Sequence, residues 1–288
     1  SMSGFRLISN LLCRTALVGC LMAVAIAANA SDAPRVVSMN LCTDQLVMLL
    51  ADPDQIVSLS RLATDVRSSS LAEQAKSYPQ NSGHAEEIFL SAPDIVVAGQ
   101  YSDKATLDML RAMGVRIEQF PLTTRLDQIP NQVRDMGELL HQPDKAERLA
   151  GNVESFIAAA PVLDSDAPVA AFYYPNGYSL GVNTLGHDIV TTGGFQNLSE
   201  KLGMYTSGRL DLELLVLEDP DVLITAEPYS GGSRSEEIVF HPALAHYAKK
   251  DRLLYSSSDW VCGTPITLRA VQEITHARNA LSQQENTK

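Results

Sequence analysis

Glu86-Glu87-Ile88-Phe89-Leu90-Ser91-Ala92-Pro93-Asp94-Ile95-Val96-Val97 and Glu213-Leu214-Leu215-Val216-Leu217-Glu218-Asp219-Pro220-Asp221-Val222-Leu223-Ile224 are two versions of one unit. Each opens on an acid, runs through apolar residues, meets Pro-Asp and ends in an unbroken apolar run. The second lies 127 positions beyond the first throughout, as Glu86 with Glu213 and Pro93 with Pro220 show. Proline disfavours the helical conformation in the residue before it, so the first part of each unit reads as a helix that ends there. The closing apolar run suits a strand covered on both faces, as in a parallel sheet. One offset shared by the glutamate, the proline and the aspartate points to internal duplication, and so to two similar α/β halves.

Outward from these units the same alternation continues. Arg35–Met39 reads as a strand, Asn40–Thr43 as a capping turn and Asp44–Leu50 as a helix. Gln55–Ser60 and Asp94–Ala98 read as strands. Asp103–Met113 reads as a helix stopped by Gly114, and Val115, Ile117 and Phe120 mark the next strand. A helical stretch spans about 126 to 160 and is broken at Gln142-Pro143, where proline suits a helix start. Asp164–Pro168 is a polar joint. Val169–Tyr174, Asp221–Thr225 and Leu253–Ser256 then read as strands. Alternation of this kind predicts an α/β fold of mainly parallel sheets flanked by helices. The expected division is a 31–141 lobe, a 142–165 connecting helix and a 166–288 lobe, after a separate segment 1–30.

That first segment reads as a secretory signal peptide. Arg6 and Arg14 flank the apolar run Thr15–Ala27, and Ala28-Asn29-Ala30 offers the small-residue cleavage site. Leu17-Val18-Gly19-Cys20 resembles a lipoprotein site, but cleavage there leaves a signal core shorter than usual. Export leaves Cys42 and Cys262, which are expected to pair in an oxidising compartment. Free thiols or metal ligation are the alternatives. The net charge of −12 opposes binding to nucleic acid or anionic lipid.

Parallel sheets bind ligands beyond the carboxyl ends of their strands. The residues found there are Asn40, Cys42, Arg61 and Tyr101 in the first half, and Tyr174, Tyr178, Tyr229 and Trp260 in the second. Trp260 is the single tryptophan, and aromatic residues make up only 6% of the chain. Their concentration in these loops suits a flat, polarizable ligand. Arg61 and Arg209 could neutralise an anionic one. The six histidines, His84, His141, His187, His241, His246 and His276, form no tight metal pattern. No metal site of the protein's own is expected. Gly177-Tyr178-Ser179-Leu180-Gly181 matches the nucleophile elbow of serine hydrolases, with Asp211 or Asp221 and then His241, His246 or His276 in chain order. The elbow needs its serine directly between strand and helix, whereas Pro175-Asn176-Gly177 intervenes and no His-Gly-Gly segment is present.

The Arg35-Val36-Val37-Ser38 opening, the two Glu…Pro-Asp units, the long central helix and the closing Ser258-Asp259-Trp260 together resemble the class III periplasmic binding proteins. These carry ferric siderophores, vitamin B12 or haem to ABC importers. The resemblance spans the chain after residue 30 and implies two lobes joined by a rigid helix. It implies no catalysis and no cofactor, only an iron or cobalt chelate as cargo. It further implies residence in the periplasm as a monomer and delivery to an ABC permease dimer in the inner membrane. Glu86 and Glu213 fall where the family places one acid per lobe to grip permease arginines, a pairing that two guanidinium forks can make bidentate. The alternative is two solvated helix carboxylates. Ferric siderophore is the first expectation for cargo, vitamin B12 the second and haem the third.

Overall fold

The computed structural model describes residues 33–228, 241–249 and 252–285. The signal-peptide and Cys20 readings and Tyr229 lie outside the described residues. Strands β1 (Val36–Ser38), β2 (Ile56–Ser60), β3 (Gln80–Asn81), β4 (Ile95–Gly99) and β5 (Ile117–Phe120) form a sheet in the order β3-β2-β1-β4-β5, parallel at every pairing. In the second half, β6 (Val169–Phe172), β8 (Gln196–Asn197), β10 (Val222–Ala226) and β11 (Leu253–Ser256) form a parallel sheet ordered β11-β10-β6-β8. An antiparallel ribbon, β7 (Tyr178–Ser179) with β9 (Gly208–Arg209), lies beside it. The central strands β1 and β4 are buried at every residue, which accounts for the unbroken apolar run of β4. The edge strands β3 and β8 are each a Gln-Asn pair, a polar signature that no hydrophobic pattern picks out.

The repeated unit is a structural repeat. Helices Ala85–Leu90 and Leu212–Glu218 lead into β4 and β10, whose bounds differ by the same 127 positions. Ala92 and Asp219, equivalent in the repeat, both adopt left-handed backbone at φ 48° and 38°. This conformation is costly for a residue with a Cβ. The aspartate that follows each proline clamps its sheet. Asp94 Oδ2 accepts from Arg35 N at 2.7 Å while Asp94 N donates to Arg35 O at 2.9 Å. Asp221 does the same to Val169, at 2.8 Å in both directions. The Pro-Asp step therefore turns the chain and registers the new strand against its neighbour.

The first helix runs Leu41–Leu50, starting earlier than the sequence pattern suggests because Asn40 caps it; its Oδ1 accepts from Cys42 N and Thr43 N. Asp44 in its first turn is buried and accepts from Ser60 N at 3.1 Å and Ser60 Oγ at 2.5 Å. Burial pushes its carboxyl up to about 6, against the opposing pull of hydrogen bonds from Ser38 and Ser60. Helices Ile129–Leu139 and Pro143–Ala159 pack as a pair at Gly137, where an added Cβ would sit 2.2 Å from the Ala146 Cβ. The second helix ends at Ala159, so the 142–165 segment is helical only in part. One apolar cluster runs through both sheets and this helix pair, taking in Val36, Val97, Val133, Val153, Phe172 and Ile224. It continues to Ile274 on the C-terminal helix Leu268–Glu285.

Candidate functional site

Both sheets have a topological switch point, and a hollow lies at each. In the first, the chain leaves β1 toward β2 and β3 on one side and later returns to β4 and β5 on the other. The crevice between the ends of β1 and β4 holds a small hollow of about 90 Å³, lined by Asn40, Gly99, Gln100, Tyr101 and Thr123 and, from the second half, Val261 and Gly263. In the second sheet the switch lies between β6 and β10. A larger hollow of about 550 Å³ opens there, lined by Tyr174, Glu227, Tyr255, Ser256, Ser257, Ser258 and Trp260. Val66, Arg67 and Ser68 of the first half line it from across the cleft, and Val261 borders both hollows. These are the places where parallel sheets bind ligands.

The wall of the larger hollow is an aromatic stack. Tyr174 stacks on Phe172 with ring centres 6.1 Å apart and planes 16° apart, and Trp260 meets the same Phe172 edge-on at 6.1 Å and 82°. The Tyr174 hydroxyl donates to Ser256 Oγ at 3.2 Å, and burial raises its pKa. Trp260 Nε1 donates to Glu273 at 3.4 Å. Burial raises the pKa of that carboxyl, and the bond from Trp260 opposes the shift. Both aromatic rings are thus fixed before any ligand arrives, which keeps the entropic cost of binding low. Opposite them, Arg67 is set by an aspartate turn: Asp65 accepts from Arg67 N at 3.0 Å and from Ser68 Oγ at 2.8 Å. These two bonds hold the Asp65 carboxyl below its usual pKa. The Arg67 guanidinium reaches over the cleft to donate to Glu227 O at 2.5 Å.

Residues 261–264 buckle the two halves together. Cys262 is joined to Cys42 by a disulfide, with Cα atoms 5.2 Å apart. Gly263 lies so close to Thr123 that a Cβ would sit 2.1 Å from its Cγ2. Thr264 Oγ1 donates to Gln45 Oε1 at 3.4 Å.

The structure gathers some of the sequence candidates and separates others. Asn40, Cys42 and Tyr101 line the smaller hollow, and Tyr174 and Trp260 line the larger. Asn40 spends its oxygen on the helix cap and Cys42 its sulfur on the disulfide. Arg61, Tyr178 and Arg209 line neither hollow. Arg61 is exposed near Glu87, whose pKa its charge lowers after the larger effect of Ser82. Tyr178 and Arg209 face each other in register in the β7–β9 ribbon. The arginine at the cleft is instead Arg67, which the sequence reading missed by stopping at the first residues after β2. The short turn Arg61–Thr64 carries the chain on to it, and Asp65-Val66-Arg67-Ser68 is a recognisable aspartate turn. Tyr255 and Ser256–Ser258, at the end of β11 and just beyond it, also line the larger hollow, although only Trp260 stood out there in the sequence. Glu86 and Glu213 both lie exposed in the first turns of their helices.

The hydrolase reading finds no geometry. Ser179 is buried in the two-residue β7, and its hydroxyl meets Ser199 Oγ at 3.3 Å. Asp221 is engaged with Val169 N, and His241 accepts from Ala243 N two residues on. No strand–serine–helix elbow exists here.

Known proteins place this architecture. Residues 36–249 match the periplasmic binding protein family. The chain belongs to that family. Such proteins bind solutes and do not transform them. This periplasmic binding protein superposes on the periplasmic heme-binding protein RhuT from Roseiflexus sp. RS-1 with a TM-score of 0.71 and 25% identity, over 85% of this chain and 98% of that one. The periplasmic heme-binding protein HutB of Vibrio cholerae shares the fold with a TM-score of 0.70 at 16% identity, over 86% of this chain and 98% of that one. A cobalamin-binding protein of Halobacterium salinarum is 26% identical over 200 residues, which is 68% of this chain and 54% of that protein. The periplasmic binding protein described here thus spans about half the length of the curated relatives it matches. Among its described residues no helix is long and apolar enough to cross a membrane.

Proposed function

We propose that the chain is the periplasmic substrate-binding component of an ABC importer and that it carries a metal chelate of the tetrapyrrole class, haem or a corrinoid, in the hollow between its two sheets. The supporting observation is that hollow of about 550 Å³, with Tyr174 and Trp260 fixed on one side and Arg67 facing them from the other lobe. A volume of this size suits a bulky organic ligand. Preset rings offer a flat face to a macrocycle, and an arginine on the far rim suits the carboxylates or phosphate that tetrapyrroles carry at their edges. The heme-binding protein RhuT, at 25% identity, and the cobalamin-binding protein of Halobacterium salinarum, at 26%, favour the same class. This order differs from the expectation drawn from the sequence, in which a ferric siderophore came first, vitamin B12 second and haem third. The named ligand contacts are Tyr174, Trp260, Arg67 and Tyr255, and the named docking residues are Glu86 and Glu213.

Isothermal titration of the purified chain with haemin, cyanocobalamin and a ferric hydroxamate tests the reading. Micromolar or tighter binding of a tetrapyrrole is expected, weakened about 5- to 30-fold by Arg67→Ala through loss of a charge-assisted contact worth about 1–2 kcal/mol. Tight binding of the hydroxamate alone would return the siderophore to first place.

A further inference from the structure

The repeated unit carries more than a fold. On helix Ala85–Leu90, Ile88 turns inward and is buried, whereas Glu86, Phe89 and Leu90 are exposed, the last two at 44% and 81%. On helix Leu212–Glu218, Leu215 turns inward and Glu213, Val216 and Leu217 are exposed, the last two at 41% and 79%. All four positions match at the 127-residue offset. Residues i, i+3 and i+4 share one helix face, so each half presents a carboxylate with two apolar side chains beside it. Core packing explains Ile88 and Leu215 but not a leucine left about four-fifths bare at the same place in both halves. Beside Glu86 a hollow of about 310 Å³, lined by Ala85, Thr106 and Met109, is open to receive a side chain.

We infer that Phe89-Leu90 and Val216-Leu217 are paired docking knobs which, with Glu86 and Glu213, seat on two equivalent basic-and-apolar sites of a two-fold symmetric membrane permease. The inference rests on the importer reading and extends it from charge to apolar contact. A surface feature duplicated within one chain fits a partner whose own surface is duplicated by symmetry. The carboxylates select basic side chains on that partner, and the apolar pairs supply buried area that rim ion pairs alone do not. A second copy of this acidic chain would set like charges against each other. An anionic bilayer would repel the same glutamates.

Site-directed photo-crosslinking in the native cell envelope tests it, with p-benzoylphenylalanine replacing Leu90, Leu217 or, as a control, the exposed Val162. Positions 90 and 217 are expected to capture the same membrane protein, at segments bearing arginine or lysine, and position 162 is not. Capture of lipid only, of two different proteins, or of nothing overturns the inference. Leu90→Ser combined with Leu217→Ser should lower uptake of the bound chelate at least tenfold, with chelate affinity and Tm unchanged because both side chains already face solvent. Full uptake by that variant also overturns it. Absence of chelate binding by the wild-type chain counts against the importer cargo alone, because the crosslinks are read independently of cargo.

Discussion

Reducing the Cys42–Cys262 bridge should weaken the fold without abolishing it. The bridge closes a loop of 220 residues, long enough that its effect on the unfolded chain is large. The chain-entropy relation gives about 5 kcal/mol for a loop of that length, and removing native bridges typically costs about 2–5 kcal/mol. The expected loss is therefore about 2–5 kcal/mol, the lower part of the range applying where the reduced, unfolded chain keeps residual structure. The reduced chain should remain folded in buffer, because the apolar cluster that runs from Val36 through Val133 to Ile224 holds both sheets without the sulfur link. Urea titration at neutral pH, followed by circular dichroism with and without a phosphine reductant, measures the difference. The Cys42→Ser, Cys262→Ser double variant should behave like the reduced protein. Counting thiols on the denatured, unreduced chain should find none. Identical midpoints with and without reductant, or two reactive thiols in the unreduced chain, would refute the reasoning.

Three further perturbations follow from the structure. The Asp44 carboxyl rises on folding from 3.8 to about 6, so its contribution is fully present below its unfolded pKa and lost as pH rises through about 6. That loss is about 2 kcal/mol at pH 5 and about 3 kcal/mol at pH 7.5. Asp44→Asn should therefore gain about 1 kcal/mol on wild type between these pH values, or about 2–4 °C in relative Tm by calorimetry; a pH-independent difference would show that Asp44 is not raised. Ala92→Gly should be neutral or stabilising by up to about 1 kcal/mol, because glycine relieves the left-handed strain at φ 48° while adding unfolded-state freedom; a loss above about 1 kcal/mol in urea melts would contradict that backbone assignment. Gly263→Val should destabilise by about 1–3 kcal/mol through collision with Thr123 and should weaken ligand binding by prising the buckle from the cleft; a variant as stable as wild type would remove the close contact.

Most of the fold was legible because the two repeated units carry their instructions locally. An apolar run after Pro-Asp can only be a buried strand, and the aspartate's grip on Arg35 or Val169 gives that dipeptide its physical meaning. The edge strands Gln80–Asn81 and Gln196–Asn197 were not legible, because a two-residue polar strand is made by its neighbour's open edge and not by its own side chains. The left-handed Ala92 and Asp219 were equally silent, as nothing in an alanine announces φ above zero. In the site, Tyr174 could be found because it lies two residues beyond β6, and Trp260 because it is the single tryptophan and sits in the first turn after β11. Arg67 could not be found by that rule, since an intervening turn displaces it, and Arg209 was drawn in by charge alone although its ribbon lines neither hollow.

The central claim is that a chelate sits against Trp260. Trp260 is the single tryptophan, so its emission reports the larger hollow without interference from other indoles. Titrating haemin and cyanocobalamin into the purified chain while following that emission, with free tryptophan as the control for absorbed light, tests the claim directly. The account predicts saturable quenching by one of the two with a Kd of micromolar or below. Quenching no greater than that of free tryptophan for both, with saturable binding of bare metal ions in its place, would contradict it.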